Sequence, residues 1–342
     1  MMKISAALCL CSAALLSCGP AGEKDLRDAV ALYRAGSTGD ALPRIEEAIM
    51  KLASQRKFGG KAESGGGMVF TRGKDELRLQ WPREMTIEVP PGYLAGSVDP
   101  ESGRSAFSTG GDITLFDSGG SRDTVVTAPG SGPVNGISVT KDSVLYLQGG
   151  FLYELGGGGD SKKILDAVVA SQQKTGLAPR AVLERKGRLC AVNHGNAGAY
   201  GLSVVGLDDK KILMKDFANS SLKFGFDGGS VYCITGGAGG WTLVKRAVGA
   251  GKTESLRRFT GLLDVEFAGD VMAAAEEKGI VLVDLAGGET LLVPFAYGLA
   301  GQSGGKLVLS WKGALYLVDQ RILVDTLRAL RAELPGLFAP LK

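Results

Sequence analysis

The chain has 342 residues, 44% of them hydrophobic, and a formal net charge of +3. That apolar share suffices for a buried core, and so small a net charge offers no strong field to nucleic acid or another acidic polymer. Its 52 glycines are spread among apolar runs, which argues against disorder and marks them as turns.

The chain opens with MMKISAALCLCSAALLSCGP, one cation at Lys3 followed by an uncharged apolar run over 4–16. A membrane-spanning helix needs about 20 apolar residues, so this run is too short to cross and has the layout of a secretory signal. It ends in Leu15-Leu16-Ser17-Cys18, which resembles the lipobox of bacterial lipoproteins, although Leu16 is bulkier than the usual residue there. The resemblance implies a signal peptide over 1–17, acylation of Cys18 as the mature N-terminus, and a tether over 18–24. Two acyl chains anchor a protein stably, so the membrane is an expected partner through the lipid on Cys18. Gly19 stands where an inner-membrane retention signal of that family has Asp, which leans toward the outer membrane. The expected address is the bacterial cell envelope, on the periplasmic side or at the outer membrane.

Residues 25–56 are predicted as a helical hairpin. Leu26, Ala29, Val30 and Tyr33 have helical spacing and Gly36 ends the first helix. Asp40 is the predicted N-cap of a second helix with Leu42, Ile45, Ile49 and Leu52 on one face. The Ala41, Ile45, Ala48 spacing resembles a tetratricopeptide repeat, a unit that cannot bury its own face. The hairpin is therefore expected to pack on the following domain or to space it from the membrane. A glycine-rich linker follows over 57–67.

From residue 68 short strands replace the helical period. Strands over 68–71, 77–81 and 85–89 come first. Then one phrase recurs six times, as in KDSVLYLQGGFLYEL and GGSVYCITGGAGGWTLVKR: a turn, an alternating strand, a glycine hairpin and a second strand. A third, shorter strand usually follows, from DTVVTA in the first phrase to RILVDTL in the last. Equivalent positions are Ser105, Val144, Leu189, Val231, Val271 and Leu307, spaced by 39, 45, 42, 40 and 36 residues. Several strands per period of about 40 residues is the pattern of a β-propeller. The predicted fold is mainly β: a six- or seven-bladed propeller over 68–325, preceded by the hairpin and followed by a short C-terminal helix and tail over 326–342. Strand 68–71 is the candidate to complete the last blade. The phrases resemble degenerate NHL-like or generic lipoprotein propellers and lack the Trp-Asp ending of another propeller family.

Candidate chemistry is sparse. Gly249-Ala250-Gly251-Lys252-Thr253 looks like the end of a phosphate loop, but Arg246 stands where its first glycine belongs and the segment lies between strands. Ser220-Ser221-Leu222-Lys223 and Ser303-Gly304-Gly305-Lys306 fit S-x-x-K yet precede strands, so both are discounted. Asp208 and Asp209 beside Lys210 and Lys211 read as a solvated turn tip. His194, the single histidine, cannot form a multi-histidine metal site; it is placed on a surface loop as a weak ligand candidate. Cys190 and Cys233 occupy corresponding strands one position out of step, so alternation is expected to aim them at opposite blade faces as two buried thiols. Trp81, Trp241 and Trp311 are read as blade packing.

No catalytic constellation, cofactor site or metal site is predicted. The expected role is a lipid-anchored interaction or envelope-assembly scaffold with protein partners and no nucleic acid. The alternative is a small-ligand binder or hydrolase-type enzyme using the central channel, which would show as carboxylates or His194 converging at the channel mouth.

Overall fold

The computed structural model describes residues 21–58, 71–73, 76–80, 86–89, 94–99, 102, 104–117, 121–156, 159–165, 180–196, 199–237, 240–303 and 305–338. The signal segment 1–17, Cys18, residues 59–67 of the linker, 68–70 and Trp81 lie outside them. Two compact units emerge, residues 1–56 with 318–342, and residues 57–317.

The first unit is helical. Helix α1 (Ala21–Arg34) starts inside the stretch expected to be tether, and Glu23 in its first turn favours the positive end of the helix dipole. It ends at Gly36, whose φ of 87° is the left-handed conformation glycine adopts without strain. There the Ser37 N–H donates to the Leu32 carbonyl and the Gly36 N–H to that of Tyr33, a Schellman close. Helix α2 (Thr38–Ala53) takes Ser37, not Asp40, as its N-cap, and Asp40 sits in the first turn. The hairpin also stops at Ala53: Ser54 turns extended, and Ser54–Phe58 is a strand that claims the first two residues of the expected linker.

Helix α3 (Gln320–Glu333) overturns the reading of RILVDTL as a strand and begins six residues before 326. Its cap decides this: the Asp319 carboxylate accepts from the Arg321 N–H at 3.0 Å and the Ile322 N–H at 3.1 Å. Leu323, Val324, Leu327 and Leu330 then fall on one buried face, toward α2. Ala41, Ile45 and Ala48, the tetratricopeptide-like face, are all buried in a unit where α2 contacts both α1 and α3. Arg34 pairs with Glu333 at 3.1 Å across the exposed edge.

The second unit is a mainly β propeller. Among the described residues there are six four-stranded sheets and one three-stranded sheet, the latter over 71–89. Five of the four-stranded sheets are sequential blades over 95–127, 134–165, 180–219, 225–259 and 262–292, here the first to fifth. The sixth holds Gly298–Ser303, Lys306–Trp311 and Ala314–Val318, and its fourth strand is Ser54–Phe58 and not 68–71. The second blade shows the rule, with strands Val134–Val139, Val144–Gln148, Phe151–Leu155 and Ser161–Leu165 in antiparallel order. Gln148 pairs with Phe151 over Gly149 and Gly150, whose φ values of 59° and 86° suit a tight hairpin turn.

The recurring phrase supplies the outer three strands of the first five blades and the two middle strands of the sixth. An additional inner strand precedes them, such as Val134–Val139 or Leu262–Ala268. Successive blades stack face to face, and alternation sends neighbouring residues to different interfaces. Val144 and Tyr146 pack toward the first blade, while Leu145 and Leu147 pack toward the third. Tyr232 and Ile234 pack toward the fifth blade while Val231 and Cys233 face the third. Strands buried on both faces read as continuous apolar runs, as VLYL does. The inner strands approach one another most closely: a Cβ on Gly136 would lie 2.5 Å from Leu183 Cδ1 and 2.8 Å from Ala181 Cβ.

Candidate functional site

One cavity of ≈ 860 Å³ is lined by all six four-stranded blades: by inner-strand residues in five of them, among them Ala95, Asn135, Glu184, Glu266 and Gln302, and in the fourth by residues 220–224, which lead into its inner strand. A cavity shared by all six blades at their first strands, or at the segment leading into one, is the central channel of a propeller, within the usual volume range of ligand pockets, about 300–1,000 Å³.

Its floor is charged. Glu184 and Glu266 are each the fifth residue of a seven-residue inner strand, Arg180–Lys186 and Leu262–Ala268. Each sits opposite an alanine of the next strand, Ala191 and Ala273, so the two carboxylates occupy one register in blades two apart. Beside Glu184 the cavity is lined by the apolar Ala181, Val182 and Leu183. Burial pushes its carboxyl up to about 7, Lys186 pulls the other way, and Glu266 adds to the rise. Part of the Glu184 surface is open, but it opens on the channel and not on bulk solvent.

Lys223 reaches the same cavity from the segment before the fourth blade's inner strand. Its Nζ lies 3.0 Å from Asp264 Oδ1 and also pairs with Glu266 Oε1. Burial alone lowers the ammonium's pKa, but Glu266 and Asp264 outweigh it and hold the pKa above its ordinary value. Glu266, only 3% exposed, is raised by burial against the pull of Lys223.

Local hydrogen bonds place Lys223. The Asn219 side-chain oxygen accepts from the Ser221 N–H at 3.1 Å, and Ser221 Oγ accepts from the Lys223 N–H at 3.1 Å. Ser220 Oγ donates to the Gly236 carbonyl at 3.0 Å. From the third blade Asn193 donates through Nδ2 to the Ser221 carbonyl at 2.8 Å and the Leu222 carbonyl at 2.7 Å. The serines of this S-x-x-K segment are thus turn formers, while its lysine belongs to the site. Two amide oxygens are left over. Asn193 is fully buried and Asn135, on the cavity wall, is 8% exposed; among the described residues neither Oδ1 has a hydrogen-bond partner.

The mouth is apolar. Leu94 and Leu263, 47% and 69% exposed, line it with Trp241 and Tyr200. Trp241 packs against the core between the fourth and fifth blades, as expected, and also lines the cavity. Trp311 packs too, 6.4 Å from the Tyr297 ring and 5.8 Å from that of Tyr316.

His194 departs from its predicted surface loop. It lies within strand Leu189–Asn196, paired with Ala181 and Gly201, and is buried away from the cavity lining. Burial lowers its pKa, with Asp216 acting in the opposite direction. The expected opposite facing of Cys190 and Cys233 is also corrected. Both point toward the preceding blade, but in different interfaces, on either side of the third blade, where both are free. Asp208 and Asp209 are an exposed turn tip, with Arg188 pairing Asp208 at 2.6 Å. Residues 249–252 form a turn between strands Gly240–Ala247 and Thr253–Phe259. Among the described residues no group of three or more His, Cys, Asp or Glu is arranged to hold a metal.

No protein-family model matches the chain, and no curated protein matches it in sequence. In structure it is similar to regucalcin, a calcium-binding protein from Agrobacterium tumefaciens, at 15% identity and a TM-score of 0.41, over 66% of this chain and 90% of that one. It is similar to the extracellular domain of a protein assigned as a one-component system from B. thetaiotaomicron, at 10% identity and a TM-score of 0.44, over 77% of this chain and 40% of that one. A chain of a nidogen/laminin complex matches at 14% identity and a TM-score of 0.41, over 63% of this chain and 88% of that one. The fold assignment rests on the sheet order and the shared cavity.

Proposed function

We propose that this protein is a lipid-anchored β-propeller of the bacterial envelope that binds a small polar molecule in its central channel. The observation that carries the reading is the Asn135 amide, buried on the cavity wall with its oxygen unpartnered. A buried polar atom left unsatisfied costs about 1–3 kcal/mol, which a bound ligand offsets. Carboxylates converging on the same channel, as the alternative reading requires, support it; an assembly scaffold alone gives no reason for charges at this depth. The channel is read as a binding site, and the serines near Lys223 serve its backbone turn.

The test uses full-length protein and fractionated bacterial small-molecule extract. An active fraction raises the melting temperature and changes Trp241 emission, and Trp241→Phe loses the second signal. If no fraction moves either quantity, the channel reading fails. The anchor is tested separately: Cys18→Ala shifts the protein from membrane to soluble fraction, and retention in the membrane defeats the lipobox reading.

A further inference from the structure

We infer that the channel ligand is an organic cation, a protonated amine or guanidinium carrying an apolar substituent, with its charge at Glu184 and its apolar part toward Trp241 and Leu263. This rests on the channel reading above and names its ligand class.

The unmatched groups are acceptors. Asn135 Oδ1 has no donor, and among the described residues Glu184 has no ion-pair or hydrogen-bond partner. Three carboxylates, Glu184, Asp264 and Glu266, share the cavity with the single ammonium of Lys223, which the latter two already engage. A ligand bringing a positive charge and N–H donors completes this set, whereas an anion meets repulsion. Asn193 contributes from behind by fixing the Ser221 and Leu222 carbonyls, and so the position of Lys223.

The mouth gives the rest of the ligand. Leu263 and Glu266 are three residues apart on one strand, so the carboxylate level lies roughly 10 Å below the exposed leucine at about 3.3 Å per residue. Around that leucine the mouth offers Trp241, Tyr200 and Leu262. A bare metal ion has no use for that apolar length, and aromatic faces favour a cation.

The probe is phenethylammonium, titrated calorimetrically into the full-length protein, with phenylacetate, phenethyl alcohol and Ca²⁺ as comparisons. Phenethylammonium binds at pH 8 and phenylacetate does not. Glu184→Gln, nearly isosteric, weakens binding at least tenfold. Wild type at pH 6 binds about tenfold more weakly than at pH 8, because a carboxyl titrating near 7 is mostly protonated there. The charged groups around Glu184 in that titration are Lys186 on its own strand, Lys223, Asp264 and Glu266. Should Glu184→Gln fail to fold, the wild-type pH comparison still decides. Equal or tighter binding of phenylacetate or the alcohol overturns the cation class while leaving the channel reading intact. Binding of Ca²⁺ alone overturns it too. Phenethylammonium binding unchanged in Glu184→Gln overturns the placement. If neither the probes nor the extract fractions bind, both readings fall together.

Discussion

Replacing Lys223 by methionine isolates the energetic role of the buried charges. The substitution keeps much of the side-chain volume and removes the only ammonium facing Glu266, 3% exposed, and Asp264. Breaking a buried pair by removing one partner costs about 3–5 kcal/mol. Asp264 keeps 30% of its side chain open, so water screens it and Glu266 carries most of the loss. The lower end, about 3 kcal/mol, is therefore expected, corresponding to roughly 6–10 °C in melting temperature for a domain of this size. The sign with pH follows from burial. Glu266 titrates near 7 in the fold with Lys223 beside it, and losing that ammonium raises it further, so the loss is small while the carboxyl is protonated below about pH 7 and grows as pH rises above it. Scanning calorimetry of wild type, Lys223→Met and Lys223→Met/Glu266→Gln at pH 5 and pH 8 measures this. The single variant should lose markedly more at pH 8 than at pH 5, and the double variant should recover over half of the pH 8 loss. A pH-independent drop, or no recovery in the double variant, would refute the reasoning.

Three further outcomes are expected. Gly136→Ala places a Cβ against Leu183 and Ala181 and should cost about 1–3 kcal/mol in denaturant unfolding, whereas a neutral result would deny the close approach of inner strands. His194 is the chain's single histidine, so one imidazole resonance should titrate by NMR with a midpoint below 6.5; a midpoint at or above 6.5 contradicts its burial. Cys190 and Cys233 are buried with thiols pushed up to about 12, so maleimide at pH 8 should leave both unlabelled until denaturant is added, as mass spectrometry would report.

The architecture was legible in the sequence because the outer strands repeat a phrase. VLYLQGGFLYEL carries both its alternation and its turn in its letters, and the blade follows. The inner strands were not legible as strands. VNGISV and KFGF contain glycines required where sheets converge, and LLDVEFA carries charges in mid-strand. Such segments break the apolar alternation by which a strand is recognised. The site is made of these segments, which is why Glu184, Asp264, Glu266 and Asn135 escaped notice and Lys223 was discounted, while His194 drew attention. A signal was nonetheless present: Glu266 stands between Val265 and Phe267, a carboxylate with apolar neighbours on either side. The last strand was misread for another reason. RILVDTL is apolar enough for either structure, and only the Asp319 cap and the spacing through Leu330 choose the helix.

The shared register of Glu184 and Glu266 bears on how such a protein changes over generations. A module copied around an axis brings the same position to the same depth each time, whatever residue stands there. Glu184 and Glu266 are one letter at one address, two blades apart. The channel's appetite can thus be rewritten one letter at a time, with no disturbance to the apolar strands behind it. Divergence between copies of this protein would surface first at those positions, and last in the strands that carry the ring.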